Sequence, residues 1–473
     1  MAATEYDVVI IGAGAVAENV ADRVVQGGLT AVLIESELVG GDCSYWACMP
    51  SKALIRSGMA LRAAQRVSGA REAVTGKIDV AAVLARRNSF THDWNDSSQV
   101  DWVKSAGIDL VRGHGRITGE REVTVTPEKG TPTVLTARHA VVVSTGSDPL
   151  LPDIPGLRES APWTPRDATS AQTAPASLGI IGGGVVAVEM ATAYATFGTH
   201  VTIFARSGLL HDQEDFVTDL VTTGLRDLGV DIRKTEPIRV DRTWEGVSVV
   251  TESGVLIAEQ VLVATGRTPR TTDIGVENAG VKPGEWIEVD DTLQSTTAEW
   301  LYATGDVNHR ALLTHQGKYQ ARAAGDVIVA RAKGERVDDA PWGAHVATAD
   351  HAAVPQVTFS EPEVASVGLT SEAARKAGHD IRVVDYEIGN VAGASLQADG
   401  YKGTARMVVD EKRGVIVGVT FVGQDVSELI HAATIAVVGE VPIDRLWHAV
   451  PAYPTVNEVW LRLLEGYGRP TPA

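Results

Sequence analysis

Two residues in this sequence stand out for chemistry before any others. The chain has only two cysteines in 473 residues, and both lie in the stretch GGDCSYWACMPSK, at Cys43 and Cys48. Free cysteines often serve as small buried hydrophobes, but two cysteines scattered by chance rarely fall five positions apart. A structural disulfide here would close a loop of four intervening residues and remove little entropy from the unfolded chain. Disulfide scaffolds also need several bridges in a small chain. Zinc needs about four ligands, and no second Cys or His pair stands at ligand spacing, so no metal site is expected. Redox chemistry remains: a thiol pair made to open and close.

The local sequence has a geometric consequence. CSYWACMPSKALI reads as helix, yet residues five apart on a regular helix lie too far apart for a disulfide, whose Cα atoms must approach within about 7 Å. The backbone must therefore be distorted, and Pro50 is the expected cause, because it lacks a donor and clashes with the preceding turn. A distorted short-loop disulfide is reducible, as a working bond must be. The aromatic spacer residues Tyr45 and Trp46 are expected to pack, with a site for a flat acceptor such as a quinone as the alternative.

Such a thiol pair needs elements that hold it against an electron source, and the flanking sequence supplies them. YDVVIIG reads as a buried strand, GAGAVAENVADRVVQGG as a glycine turn and helix, and TAVLIE as a second strand. Gly12 and Gly14 let the backbone approach a pyrophosphate at the helix N-terminus, and Ala17 is small enough for close helix–strand packing. Glu35 ends the second strand, 23 residues after Gly12, and is placed to accept hydrogen bonds from an adenosine ribose. The pattern recurs in SLGIIGGGVVAVEMATAYATFGTHVTIFAR, with Gly182, Gly184 and the small Ala187. There the second strand ends in Ala205 and Arg206. Arginine pairs with a 2′-phosphate that an acid would repel, so the second site reads as NADPH. The alternative is that Arg206 is a solvated surface charge. Two dinucleotide folds and a thiol pair make an electron relay from NADPH through FAD to a disulfide.

The chain's length implies more than one domain. Charged residues at 22% and apolar residues at 44% are ordinary for a globular protein, while the net charge of −18 argues against nucleic acid or anionic membrane partners. No apolar run reaches the roughly 18 residues that span a bilayer, and the N-terminus lacks the basic region of a signal peptide. A cytoplasmic protein is expected, where a lone cysteine pair is more often catalytic than structural.

These residues resemble the flavoprotein disulfide reductases with two dinucleotide folds, the group of dihydrolipoamide dehydrogenase, glutathione reductase and mercuric reductase. GGDCSYWACMPSK is similar to the family's redox motif. VVVSTGSDPLLPDIPG and VLVATGRTPR resemble its two strand-to-turn crossings, LYATGDV its flavin motif, and VPQVTFSEPEVASVGLT the opening of its C-terminal domain. The resemblance implies an α/β fold with two Rossmann-like dinucleotide-binding domains and a C-terminal α+β dimerisation domain. FAD would be bound by residues 1–155 and 285–345, the nicotinamide nucleotide by 156–284, and a second copy of the chain by 346–473. It implies that Cys48 lies nearest the flavin and that Cys43 is the outer, interchange thiol. Lys52 would lie beside the flavin and pair with Glu189, and Asp306 would hold the ribityl chain. Further cofactor-binding positions would fall at Gly115, Ser144, Thr145, Gly146 and Gly266.

One departure bears on the acceptor. The family uses a C-terminal His-Pro-Thr stretch and a glutamate, the histidine protonating leaving thiols. Here the stretch reads VPAYPTVNEVW: Pro454, Thr455 and Glu458 match, but Tyr453 stands in place of the histidine and His448 lies outside the motif. A phenol is a poor base at neutral pH, so ordinary disulfides are expected to be slow substrates. A quinone-like molecule or other small electrophile is the expected acceptor. A mercuric-reductase-like metal reductase, or a disulfide reductase with an unusual base, is the alternative. The C-terminal cysteine pair of mercuric reductases has no counterpart here. A flavin-binding redox sensor without turnover is the non-enzymatic reading.

Overall fold

The computed structural model describes residues 4–469, which divide into two compact units. The first comprises Met1–Pro50, Asn88–Leu150 and Gly266–His351. Its centre is a seven-stranded sheet. Strands Asp109–Arg112, Ala31–Glu35, Glu5–Ile11 and the second half of Thr133–Val143 lie side by side in parallel, and Leu301–Ala303 extends them. This is the strand order of a dinucleotide fold, with the first strand central. Val8, Val9, Ile10 and Ile11 are buried on both faces, which explains a continuous apolar run instead of an alternating one. The first half of Thr133–Val143 pairs instead with Glu122–Thr126, which forms an antiparallel hairpin with His114–Gly119. Helices Ala15–Gln26 and Thr314–Lys333 pack on one another beside this sheet.

The second unit comprises Ser51–Arg87, Leu151–Thr265 and Ala352–Ala473. It repeats the device with a four-stranded parallel sheet in the order Asp231–Arg233, His200–Phe204, Ser177–Ile181, Gln260–Val263. A three-stranded meander follows over residues 239–258. A five-stranded antiparallel sheet carries the C-terminal α+β region, in the order Gln356–Thr358, Glu363–Gly368, Val415–Gly423, Thr404–Asp410, Ile381–Glu387. The fold is thus mixed α/β with two dinucleotide-binding sheets and a C-terminal α+β domain. No described helix is long and apolar enough to cross a membrane.

The thiol segment departs from regular helix, but at a different point from that expected. A short helix, Gly41–Tyr45, stops at Trp46, whose φ of −136° and ψ of −4° leave the helical region. A new helix, Cys48–Gln65, then begins at the second cysteine. Pro50 is the third residue of this new helix, within the first turn, where no intrahelical donor is required. The proline therefore suits the start of a helix, and the break precedes it at Trp46–Ala47.

Candidate active site

The first unit carries a cradle of backbone. Gly12 has φ +103°, and a Cβ there would lie 2.4 Å from the Ser144 carbonyl oxygen; only glycine lets the two strand ends approach so closely. Gly14 begins the helix Ala15–Gln26 in extended conformation, and no side chain caps the first-turn amides, which leaves an anion-binding helix terminus. Ala17 is fully buried. Glu35 accepts from the backbone N–H of Ala13 at 2.8 Å and of Glu37 at 2.7 Å. Burial raises its carboxyl above the ordinary range while these two N–H groups pull it down. The loop before the first cysteine closes over this turn: Gly40 N–H donates to the Ala13 carbonyl at 2.8 Å. Asp306 accepts from Ser147 Oγ at 2.6 Å and faces Arg267 Nε at 3.5 Å. Ser144 Oγ donates to the Thr304 carbonyl at 3.3 Å and Thr145 Oγ1 to that of Arg270 at 2.8 Å, pinning the strand ends around Gly146. Gly115 packs beneath, against Ile34 and Ile11. Gly266 lies at the start of the return crossing, where its carbonyl accepts from Leu150.

The two thiols lie together in this unit. Neither is in a disulfide and both are half-buried, and Cys48 Sγ is 3.4 Å from Thr314 Oγ1 at the head of helix Thr314–Lys333. Cys43 is held well above the ordinary thiol range, first by its hydrogen bond to Cys48, then by burial and the charge of Cys48. A hydrogen bond from Thr314 and the charge of Lys318 oppose this. A thiolate on Cys48 thus holds the proton on Cys43. Tyr45 is fully buried and stacks edge-on to Trp46 at 5.7 Å. Tyr45 therefore packs, as expected; its ring forms no open platform.

The second unit holds the remaining predicted residues. Lys52, one turn along the helix that Cys48 begins, donates to Glu189 Oε2 at 2.7 Å, and its ammonium lies 5.0 Å above the Phe359 ring. Glu189 is buried, and its other oxygen accepts from Phe359 N–H at 3.1 Å. Two acceptor bonds on a buried carboxylate fix the lysine head in place. Gly182 repeats the first site: φ is +121° and a Cβ would lie 2.2 Å from the Ala264 carbonyl oxygen. Gly184 starts the helix Val185–Thr196, again without a side-chain cap, and Ala187 is fully buried. Arg206 is 74% exposed and pairs with Glu236 at 2.9 Å. Tyr453 is 77% exposed. Glu458, the first residue of helix Glu458–Tyr467, is buried, and its Oε2 has no partner among the described residues. His448 is exposed and lines a cleft with Arg445, Trp447 and Arg469.

Sequence reasoning did not single out Thr314, Lys318 or Glu18. Thr314 and Lys318 stand one helical turn apart, on one face, but 266 residues separate Thr314 from Cys48, so no spacing reveals the contact. Glu18 did leave a signal, since it lies within the buried stripe Ala17, Val20, Ala21, Val24, where a charge is out of place.

Residues 6–333 match the family described as pyridine nucleotide-disulphide oxidoreductase, and residues 354–463 match its dimerisation domain. The mercuric reductase of Shigella flexneri is 30% identical over 95% of this chain and 79% of its own length. That of Staphylococcus aureus is 29% identical over 96% and 81%. The dihydrolipoyl dehydrogenase of Rhizobium etli is 28% identical over 99% of both chains. Among solved structures, the Cu(II) complex of the HOCl-induced flavoprotein disulfide reductase RclA from Escherichia coli superimposes with a TM-score of 0.84 at 25% identity, covering 98% of this chain and 99% of that one.

Proposed function

The chain belongs to the pyridine nucleotide-disulphide oxidoreductases, and from that premise we propose that it carries electrons from NADPH through FAD and the Cys43–Cys48 pair to a small acceptor that is not an ordinary disulfide, such as a quinone-like molecule or other small electrophile. FAD fits the first unit: the glycine turn is too tight for a Cβ, the helix amides lack side-chain partners, and Glu35 offers a half-buried carboxylate at the strand end. In this reading residues 1–155 and 285–345 bind FAD, 156–284 bind NADPH, and 346–473 pair two copies of the chain. The match to the dimerisation domain supports that pairing.

When bound, FAD supplies the two-electron step between the nicotinamide and the thiols. The chain's own residues position and charge-balance the site. Gly12 and Gly14 admit the pyrophosphate, and Asp306 offers an acceptor for the ribityl hydroxyls. Glu189 holds the ammonium of Lys52, and Thr314 donates to a sulfur. Lys318 favours the thiolate, the reactive form of cysteine.

The observation that carries this reading is the pair of neighbouring thiols in a chain with a phenol, Tyr453, where the family has an imidazole. Splitting a disulfide requires a proton for the leaving thiolate, and general acid–base help is typically worth about 10² to 10⁴ in rate. A second reading, a metal ion as acceptor, is favoured by the similarity to mercuric reductases across almost the whole chain and by the Cu(II) complex of RclA. The test is anaerobic NADPH turnover by the purified flavoprotein with quinones, glutathione- and lipoamide-type disulfides, and mercuric and cupric ions. Quinone reduction should exceed disulfide reduction by at least about tenfold, and Tyr453→His should raise the disulfide rate by about the same factor. Disulfide turnover by the parent protein as fast as quinone turnover would refute the assignment, and exclusive turnover of metal ions would establish the second reading.

A further inference from the structure

Three neighbouring strands of the second unit end side by side. Ile181 pairs with Phe204, and Phe204 with Arg233, all in parallel, so Gly182, Ala205 and Lys234 are the next residues along one edge of the sheet. Ala205 N–H continues the ladder to the Arg233 carbonyl at 3.0 Å. In open parallel sheets, ligands bind beyond the carboxyl ends of the strands. Gly182 and Ala205 already have a place in the nucleotide site, and Lys234 has none.

Lys234 reaches the turn that carries Arg206. This turn runs from Ala205 to Gly208 and is closed by Gly208 N–H on the Ala205 carbonyl at 3.0 Å. It rests on the glycine turn: a Cβ at Gly183 would lie 2.4 Å from the Gly208 carbonyl oxygen and 2.9 Å from the Ala205 Cβ. A Cβ at Gly208 would lie 4.0 Å from Lys234 Cε, so the ammonium, one bond further on, stands beside the same turn.

The basic groups at this edge are not equally available. Arg233 Nε donates to Asp231 at 2.7 Å, and its guanidinium lies 5.8 Å from the centre of the Phe204 ring. Arg206 is held by Glu236 at 2.9 Å. Lys234 is exposed and has no hydrogen bond or ion pair among the described residues. An anion that arrives here meets Lys234 without breaking an existing pair. An ammonium binds phosphate as a point charge and a guanidinium binds it as a fork, so the two complement one another from adjacent strand ends.

We propose that Lys234 is a second specificity-determining residue for the electron donor, binding the 2′-phosphate of NADPH together with Arg206. The inference rests on the NADPH reading of the second unit. It divides the discrimination against NADH between a guanidinium that must leave Glu236 and an ammonium that has no partner to leave.

The test measures donor preference in the holoenzyme. Anaerobic reduction of the bound flavin, followed by its absorbance in stopped flow, needs no acceptor and gives an apparent Kd for each donor. Lys234→Gln should lower the preference for NADPH over NADH about tenfold, and Lys234→Arg should keep most of it. Lys234→Gln combined with Arg206→Gln should abolish it. Two competitors locate the lysine. Adenosine 2′,5′-bisphosphate should bind Lys234→Gln about tenfold more weakly, while 5′-AMP should bind almost as before. An unchanged preference in Lys234→Gln overturns the proposal, and so does equal weakening of both competitors, which would put the ammonium at the 5′-phosphate. A parent protein that prefers NADH would sink the donor reading itself, and that result is seen before any variant is made.

Discussion

The two glycine turns of this chain are built alike and finished differently. In each unit a glycine at positive φ brings a strand end against the carbonyl of a neighbouring strand, and a second glycine starts an uncapped helix. Around the first turn the chain then closes. Gly40 bonds to Ala13, Gly41 lies against Gly14, and Glu35 binds back to Ala13. Around the second turn Leu210 N–H likewise bonds to the Gly183 carbonyl at 2.9 Å, but the bound-back acid is missing: Ala205 and the exposed Arg206 stand where Glu35 stands in the first, and no described atom lies within 4 Å of where a Gly184 Cβ would stand. A carboxylate at the strand end suits a nucleotide with a free ribose, and an exposed arginine there suits a ribose that carries a phosphate. The difference matches the FAD and NADPH sites of the proposed function.

The comparison breaks most visibly at Gly12 and Gly182. Alanine at either position meets a backbone oxygen and a φ that L-residues rarely adopt, so each substitution should cost at least about 2–3 kcal/mol locally. The consequences should separate. Gly12→Ala should yield protein that loses FAD on gel filtration and melts several degrees lower. Gly182→Ala should keep its yellow colour and raise the KM for NADPH by more than about tenfold. Loss of flavin from both variants, seen as loss of visible absorbance, would show that the turns are not independent.

Arg206 gives a smaller, selective effect. Its partner Glu236 is itself exposed, and exposed ion pairs are worth only about 0.2–1 kcal/mol, so a 2′-phosphate can displace it at little cost. A charge-assisted bond to phosphate is worth about 1.5–3 kcal/mol. Arg206→Glu should therefore weaken NADPH binding about ten- to a hundredfold while changing NADH binding by less than about threefold. Titration of both nucleotides against flavoprotein fluorescence checks this. Equal loss for both would assign Arg206 to the solvated surface.

The sequence made the two turns legible because their constraints are local. Gly12 and Gly182 sit between apolar strands and amphipathic helices whose periodicities are set within about thirty residues, and the strands fall within a residue or two of where the pattern puts them. The five-stranded C-terminal sheet followed only from resemblance, since its strands pair across long separations. The thiol segment was half legible. Its spacing demanded a break, but Pro50 drew attention away from Trp46, where the helix stops. The contact of Cys48 with Thr314, and the shared influence of Lys318 on Cys43 and Glu18, arise when distant helices pack, and no periodicity encodes them. Glu18 was visible as a charge in an apolar stripe.

The smallest effect is expected at Gly184, and it isolates what a glycine at the start of the helix is for. Its φ of −79° and ψ of −171° are extended backbone that any residue adopts, and a Cβ there would meet no neighbour within 4 Å. Alanine should thus be neutral for the fold, or stabilising by about 0.4–1 kcal/mol through the lower entropy of the unfolded chain. If glycine stands there only so that a pyrophosphate can reach the backbone, the methyl group should be felt by the ligand alone. Gly184→Ala should then melt at the parent temperature or slightly above, retain FAD, and raise the KM for NADPH severalfold. Thermal denaturation and steady-state kinetics on one preparation separate the two contributions. A lowered melting temperature with unchanged KM would mean that this glycine serves packing and not the ligand.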